Sequence, residues 1–390
     1  STFGPICASA CEMINVSVRT LSGDREGSTV TDRETLGVTF KDWVSSFFSV
    51  DPELQVLISS NGDELQDHIS LVDQDIHDGH CLTLLIRSFA RVASGSSDGF
   101  ARVFNVDTGE KEWEFRHSTM VMSVAWSPDR QFLATSSADG TIRLLDVTGE
   151  RSCWVLDHGF AGSISWTSDG QVIAAGCSSG EVRLLDTGRG GEIASMDVHG
   201  GRAVNCVSWA PGKMDQLASA GTDGSVHLLD TRSFGPRGEA SKTWAHSKAV
   251  LTAAWRPNGE QLAAAGSEGV VFLHDVCGDP SGDMRFNPSP SASALRSLSW
   301  LNDGSQLAIA GNPGVLLWTN PGPSGSVQKL SAGAQRSLAW STHGDSLVIG
   351  GDDGSVRVFD VKSAPTCKGW KEKRTWNSAS AKVLSLAWQG

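Results

Sequence analysis

The pattern that organises the chain is clearest at residues 121–146, VMSVAWSPDRQFLATSSADGTIRLLD. A short apolar run ends in Trp126, and Ser127-Pro128-Asp129 supplies a turn. A second run, 132–136, leads to the turn Asp139-Gly140. A third, 141–145, ends at Asp146. β-Branched and apolar residues fill the runs and turn formers separate them, which predicts three strands joined by two tight turns. The unit then recurs. Its first-run tryptophan appears at Trp126, Trp166, Trp209, Trp255, Trp300, Trp340 and Trp388. Its second turn appears at Asp98-Gly99, Asp139-Gly140, Ser179-Gly180, Asp223-Gly224, Glu268-Gly269, Pro313-Gly314 and Asp353-Gly354. Successive turns lie 41, 40, 44, 45, 45 and 40 residues apart.

A period of about 40–45 residues, with a fourth strand fitting between units, resembles a β-propeller of WD repeats. Outer-strand candidates stand at 112–115, 152–156, 192–196 and 241–245, with poorer ones at 283–286 and 327–330. Prolines at 280, 288 and 290 suit a loop or an edge there. The first unit lacks an inner strand, and residues 383–388 (VLSLAW) repeat 121–126 just before the last residue. The simplest account enters 383–388 into the first blade and seals a seven-bladed ring, leaving no open edge. One competitor stays open. Leu85 precedes Asp98 by the same 13 residues that separate Trp126 from Asp139, so 81–86 is an alternative inner strand.

Residues 1–12 read as a tail. From 13 to 87 the pattern changes: a strand at 15–21, a loop at 23–28, a second strand at 34–38, a helix at 39–49, then strands at 54–59 and 81–86. The helix places Phe40, Trp43, Val44, Phe47 and Phe48 on one face behind the N-cap Thr39. This order resembles ubiquitin, most specifically at Leu57-Ile58, Leu65-Gln66-Asp67, residues 71–76 (LVDQDI) and residues 82–87 (LTLLIR). The resemblance implies a small α+β, β-grasp domain. Ser88-Phe89 stands where a conjugated ubiquitin ends in Gly-Gly, so the module is expected to be built in. Its partner-binding patch would fall on Ile58 and Leu85, or those two support the sheet. The expected fold class is therefore mainly β: a tail at 1–12, a ubiquitin-like domain at 13–87 and a propeller at 88–390 closed by 383–388.

The third strand of each unit ends where WD repeats usually carry Trp-Asp. The pairs here are Phe104-Asn105, Leu145-Asp146, Leu185-Asp186, Leu229-Asp230, His274-Asp275, Trp318-Thr319 and Phe359-Asp360, which keep the Asp five times. His117, His158, His199 and His246 lie eight to ten residues before their inner-strand tryptophans. In the family such a histidine joins the turn aspartate in a hydrogen-bond network that holds the blade. The resemblance carries this to His117 with Asp139, His199 with Asp223 and His246 with Glu268, and the turn acids Asp98 and Asp353 occupy equivalent positions. His158 faces Ser179 and lacks an acid. Recurrence argues against catalysis, since an active site occurs once. G-x-S-x-G at 95–99 and 176–180 falls in hairpins and not at a strand-to-helix elbow. No P-loop, dinucleotide fingerprint or H-E-x-x-H is present. No catalytic residue, metal site, cofactor or small-molecule substrate is expected.

Composition changes this picture little. The net charge of −12 is uneven. Residues 1–87 hold 5 Lys+Arg against 14 Asp+Glu, a net of −9, and the remainder 27 against 30, a net of −3. The acidic first segment should be repelled by nucleic acid and anionic membranes. Eight scattered cysteines form no C-x-x-C pair. A reducing compartment follows, the cytoplasm with the nucleus as alternative, and not secretion. The chain opens on Ser1 with no basic, apolar leader, and either processing or a fragment is open. No apolar run nears the length of a membrane span. Seven of the fourteen tryptophans end inner strands and should contribute about 2–3 kcal/mol each as core.

Two local features suggest partners. Residues 217–232 (LASAGTDGSVHLLDTR) resemble the box by which WD-repeat substrate receptors dock on cullin ubiquitin ligases, and Arg232 is its distinguishing residue. Lys368, Lys371, Lys373 and Arg374 interleave with Trp370 and Trp376, a pattern that can contact RNA. A solvated loop or outer strand is the plainer reading of that cluster, and nucleic acid is not expected in an acidic chain. The expected function is a non-enzymatic scaffold or adaptor in a larger complex, with a cullin-ligase substrate receptor and an RNA-associated protein as alternatives.

Overall fold

The computed structural model describes residues 13–20, 26–32, 37–48, 55–61, 63, 65–66, 69–77, 79–86, 90–147, 151–157, 159–235, 238–278, 283–288, 294–312, 314–322, 325–331, 333–361, 370–377 and 381–389. The chain divides into two compact units, Ser1–Phe89 and Ala90–Gly390.

In the first unit one four-stranded sheet carries one helix. Met13–Thr20 lies at its centre, antiparallel to Glu26–Asp32 and parallel to Cys81–Ile86, which pairs in turn with Gln55–Ile58. The helix, Gly37–Phe48, places Phe40 and Val44 four residues apart on one face. Both are buried with Val16, Val18, Leu57, Leu65, Leu71, Ile76 and Leu82. The second strand departs from expectation. It occupies Glu26–Asp32 and not 34–38, whose last two residues already open the helix. Its residues EGSTVTD expose Ser28 and Val30, and an edge strand with so little buried carries no apolar alternation to betray it. The tail at 1–12 lies outside the described residues.

The second unit contains, among the described residues, seven four-stranded antiparallel sheets. Each runs outward from an inner strand: Val121–Trp126, Ala161–Trp166, Val204–Trp209, Val250–Trp255, Leu295–Trp300, Gln335–Trp340 and Val383–Trp388. The last of these pairs with Arg91–Ser96, so chain end and unit start share one sheet. Among the described residues Cys81–Ile86 pairs with Met13–Thr20 and Gln55–Ile58 of the first unit, and not with Arg91–Ser96. Successive inner strands touch one another, and Val383–Trp388 touches both Gln335–Trp340 and Val121–Trp126. The sheets form a closed ring.

Second strands are buried almost throughout, as in Phe132–Ser137 and Gln261–Gly266, and combine one or more branched apolar residues with Ala, Ser or Gly. Small residues let the neighbouring inner strand approach. A Cβ added at Gly176 would lie 2.8 Å from Val204 Cγ1, and one at Gly350 would lie 2.6 Å from Val383 Cγ1. Every inner strand also carries a β-bulge after its first residue, for example between Val121 and Ser123 and between Val383 and Ser385. The bulges recur at one position and increase the local twist.

Candidate functional site

Where inner strands meet, two polar contacts repeat around the ring. The indole Nε1–H of Trp166 donates to the Ala125 carbonyl at 3.0 Å. Those of Trp209, Trp255, Trp300 and Trp340 donate to Ser165, Ser208, Ala254 and Ser299 at 3.1, 2.9, 3.1 and 3.0 Å. The rings are buried, that of Trp166 in part, and each indole bonds its one donor to the preceding sheet. The second contact uses a hydroxyl three residues before the tryptophan. Ser123 Oγ accepts from Ile164 N–H at 3.3 Å, Ser163 Oγ from Val207 N–H at 3.2 Å, and Ser297 Oγ from Leu338 N–H at 3.1 Å. Across the closure Ser385 Oγ accepts from Val124 N–H at 3.1 Å. There the indole bond fails: Trp126 Nε1 is buried without a partner. The serine contact was missed in the sequence, although a residue that can hydrogen-bond recurs there (Ser123, Ser163, Cys206, Thr252, Ser297, Ser337, Ser385).

The histidine networks are less uniform than the resemblance implied. His199 carries the full set. Its Nδ1 meets Asp223 Oδ1 at 2.9 Å and its Nε2 meets Ser219 Oγ at 2.9 Å. Ser225 Oγ lies between Asp223 and His227 Nε2, the latter at 2.7 Å, and Thr243 Oγ1 reaches the other nitrogen of His227. Burial works to raise the Asp223 carboxyl, but hydrogen bonds from Ser225 and His199 hold it below the usual range. Donor atoms of His199, Asp223 and His227 lie within 4.8 Å of one another, a spacing a cation could use. Hydroxyls already engage these ring nitrogens, so the cluster is complete as a strand-joining network.

The pairs His117–Asp139 and His246–Glu268 are not joined by hydrogen bonds, which corrects that expectation. His117 Nε2 contacts Thr135 Oγ1 at 3.1 Å, and its buried Nδ1 has no partner. Asp139 instead accepts from Ser118 Oγ and from the N–H and hydroxyl of Thr141. Glu268 accepts from Ser247 N–H at 2.8 Å and from its hydroxyl. His246 Nε2 meets His274 Nε2 at 3.3 Å, and His274 Nδ1 meets Asp283 Oδ2 at 2.9 Å. In both cases the hydroxyl immediately after the histidine, Ser118 or Ser247, has captured the acid. Burial pushes His117, His227 and His246 down to about 4, helped by the charges of Arg143, His199 and His274 respectively. Asp98 pairs with Arg102 at 2.7 Å and Asp353 with Arg357 at 2.5 Å; no histidine is among the partners found for either. His158 lies outside the described residues.

Two family descriptions match the ring. WD domain, G-beta repeat, matches residues 109–146 and 238–275. Anaphase-promoting complex subunit 4 WD40 domain matches 157–212 and 317–390. These matches and the repeated four-stranded sheets support a WD-repeat β-propeller in the second unit. Among curated proteins the chain is similar to Autophagy-related protein 18 of Meyerozyma guilliermondii, 34% identical over 83 residues, covering 20% of this chain and 15% of that one. WD repeat-containing protein SL1-17 of Schistosoma mansoni is 34% identical over 62 residues, covering 16% and 21%. Guanine nucleotide-binding protein subunit beta of Oryza sativa subsp. indica is 32% identical over 154 residues, covering 36% and 39%. The chain thus spans well under half of each relative.

The propeller places the candidate contact residues unequally. Arg232 follows the third strand Ser225–Asp230 on a 3-10 turn that Asp230 caps. Its guanidinium is 73% exposed and pairs with Asp230 at 2.7 Å and Asp215 at 3.2 Å. Lys371 is exposed on the outer strand Lys371–Asn377. Arg374, exposed on the same strand, also ties two sheets together. It donates to the carbonyls of Val106 at 3.3 Å and Asp107 at 2.7 Å in the adjoining sheet. Trp376 stacks on Phe104 at 4.9 Å and donates to Gly109 O, so the aromatic component of the RNA pattern is half-buried. In the first unit Ile58 is half-buried at the end of its strand. The backbone of Leu85 pairs with Val56, and its side chain lies outside the described residues. Among the described residues no helix is long and apolar enough to cross a membrane.

Proposed function

We propose that this chain is a non-enzymatic interaction scaffold: a seven-bladed WD-repeat propeller, preceded at residues 13–87 by a ubiquitin-like module that is not conjugated to targets. One observation carries the reading. The polar residues that recur from sheet to sheet are engaged in holding sheets together, as in the indole–carbonyl contacts between inner strands. What varies around the ring, and so can specify partners, is loops and outer strands. The mixed sheet with its helix at 13–86 supports the ubiquitin-like reading and would supply a second contact, so two modest affinities can combine through proximity. Similarity to a protein named as a subunit supports membership of a larger complex.

The test is affinity purification from native cells of the full chain, of residues 90–390 alone, and of Arg232→Ala. The scaffold reading expects specific proteins with the full chain, a subset lost when residues 1–89 are removed, and recovery unchanged by Arg232→Ala. Loss of a cullin ligase on Arg232→Ala would transfer the chain to the substrate-receptor class. Recovery of no specific protein by either length would sink the scaffold.

A further inference from the structure

At four places around the ring the third residue of one inner strand bonds the fourth residue of the next. The inner strands therefore run the same way and start at one end, where their second residues form a circle. Two of these are Arg296 and Arg336, on the adjacent strands Leu295–Trp300 and Gln335–Trp340. The other five, Met122, Gly162, Asn205, Leu251 and Leu384, carry no charge. In ring order one arc reads Leu251, Arg296, Arg336, Leu384, two guanidinium groups between two leucines.

The two arginines are not equally served. The residue after each second strand donates its N–H to the carbonyl just ahead of the inner strand, Asn312 to Ala294 at 3.1 Å and Asp352 to Ala334 at 3.2 Å. These two turn residues thus hold matching positions. Asp352 presents a carboxylate, and Arg336 Nε donates to it in an ion pair. Asn312 presents a neutral amide. Arg296 is half-buried, its Nε is buried without a partner, and no ion pair to its guanidinium is found among the described residues. The turn acids of the adjoining sheets are engaged elsewhere, Glu268 by Ser247 and Arg285 and Asp353 by Ser355 and Arg357. Residues 289–293, 313 and 332, which adjoin these strands in sequence and lie outside the described residues, include no acid. A guanidinium drawn partly out of water without a counter-charge is costly, and an anion that joins it relieves the cost. We infer that this end of the ring receives a carboxylate of another protein, an Asp or Glu flanked by apolar residues, on Arg296. The carboxylate takes the outer N–H groups of the Arg296 fork, and the flanking side chains cover Leu251 and Leu384. Charge selects a carboxylate over a phosphoryl group. Arg296 and Arg336 against Asp352 are two positive charges and one negative, a sum of +1, which one carboxylate neutralises. A phosphoryl group of about −2 would overshoot it and face Asp352. The inference rests on the scaffold reading and gives it one partner chemistry.

The probe is acetyl-Gly-Ser-Leu-Glu-Leu-Ser-Gly-amide, whose blocked ends leave the glutamate as its one charge, titrated into the full chain by isothermal calorimetry. Two further probes replace the glutamate by glutamine or by phosphoserine. The glutamine peptide should bind about tenfold or more weakly, and the phosphoserine peptide no tighter than the glutamate one. Arg296→Gln should cost the glutamate peptide about tenfold or more. Asn312→Asp, which gives Arg296 the acid that Arg336 already has, should weaken binding in the same direction. Arg202→Gln removes an equal charge from an exposed position ahead of Val204–Trp209 and should leave binding within about twofold. Melting temperatures establish that the three variants fold. Equal binding of the glutamate and glutamine peptides would overturn the proposal. So would unaltered affinity of Arg296→Gln, tighter binding of the phosphoserine peptide, or no saturable binding of the glutamate peptide up to about 1 mM. Equal losses in Arg202→Gln and Arg296→Gln would reduce the interaction to general charge attraction and overturn it as well. None of these outcomes bears on whether native partners co-purify, so this inference can fail while the scaffold reading stands.

Discussion

A histidine that is buried neutral makes a protein acid-sensitive in a defined window. His117, His227 and His246 sit near 4 in the folded chain and near 6.5 when unfolded. Between those values the unfolded chain binds more protons than the folded one, so stability must fall as pH falls from about 6.5 to about 4. Asp139 and Asp223 are also shifted below their unfolded values, both held low by hydrogen bonds that outweigh burial. Their contribution is intact above the ordinary carboxylate range and is lost only below it. Two successive losses are expected on acidification, the histidine loss first. Urea midpoints measured from pH 7 to pH 3 check the order, and His117→Gln, which retains a partner for Thr135, should flatten the upper segment. A midpoint that stays constant between pH 6.5 and 4 would contradict the burial argument. At this scale the sequence was partly legible. The spacing located His199 and Asp223 as a pair 24 residues apart, but the similar spacing of 22 did not join His117 to Asp139. There the seryl hydroxyl of Ser118 reaches the acid at 2.6 Å, a local competition that residue spacing does not express.

Strands were legible wherever turn formers bracketed an apolar run. Val383–Trp388 and Cys81–Ile86 sit where the runs placed them, because Gly, Asn and Asp at turns force a chain reversal whatever surrounds them. Glu26–Asp32 was illegible, since its pairing with Met13–Thr20 is main-chain and its side chains are largely polar. The recurring bulges were illegible too: a bulge is a property of two strands together, and one strand's residues do not encode it. The contacts between inner strands allow an internal comparison. Trp126 and Trp255 are 8% and 6% exposed at equivalent positions, yet only Trp255 donates to a carbonyl. Replacing each with Phe removes a similar ring area, so the difference reports the hydrogen bond. Trp255→Phe should cost about 1 kcal/mol more than Trp126→Phe, read as the difference in urea-midpoint free energies. Equal costs would mean that the indole contacts contribute packing alone.

Closure is a property of the whole ring, and it concentrates in the last strand. Val383 and Leu386 are buried among residues drawn from both flanking regions, Val92 and Phe104 on one side and Val348, Val356 and Val358 on the other. Ser385 holds Val124 across 261 positions of sequence. Removing residues 383–390 would therefore strip a paired edge from Arg91–Ser96 and unpack two inner strands at once, exposing apolar faces that no other element can cover. Because each sheet is supported by its neighbours, the loss should spread and not stay local. Truncation at residue 382 is expected to abolish the cooperative melting of the propeller, followed by tryptophan fluorescence, and a synthetic peptide of residues 381–390 should restore it in a concentration-dependent way. The first unit has its own buried cluster, Phe40 and Val44 on Val16, Val18 and Leu82. Hydrogen exchange at residues 13–20 should stay slow in the same truncated chain, which separates ring opening from general misfolding. A truncated chain that melts at the intact midpoint would show that six sheets and an open edge are enough, and the structural role assigned to the terminal strand would fall.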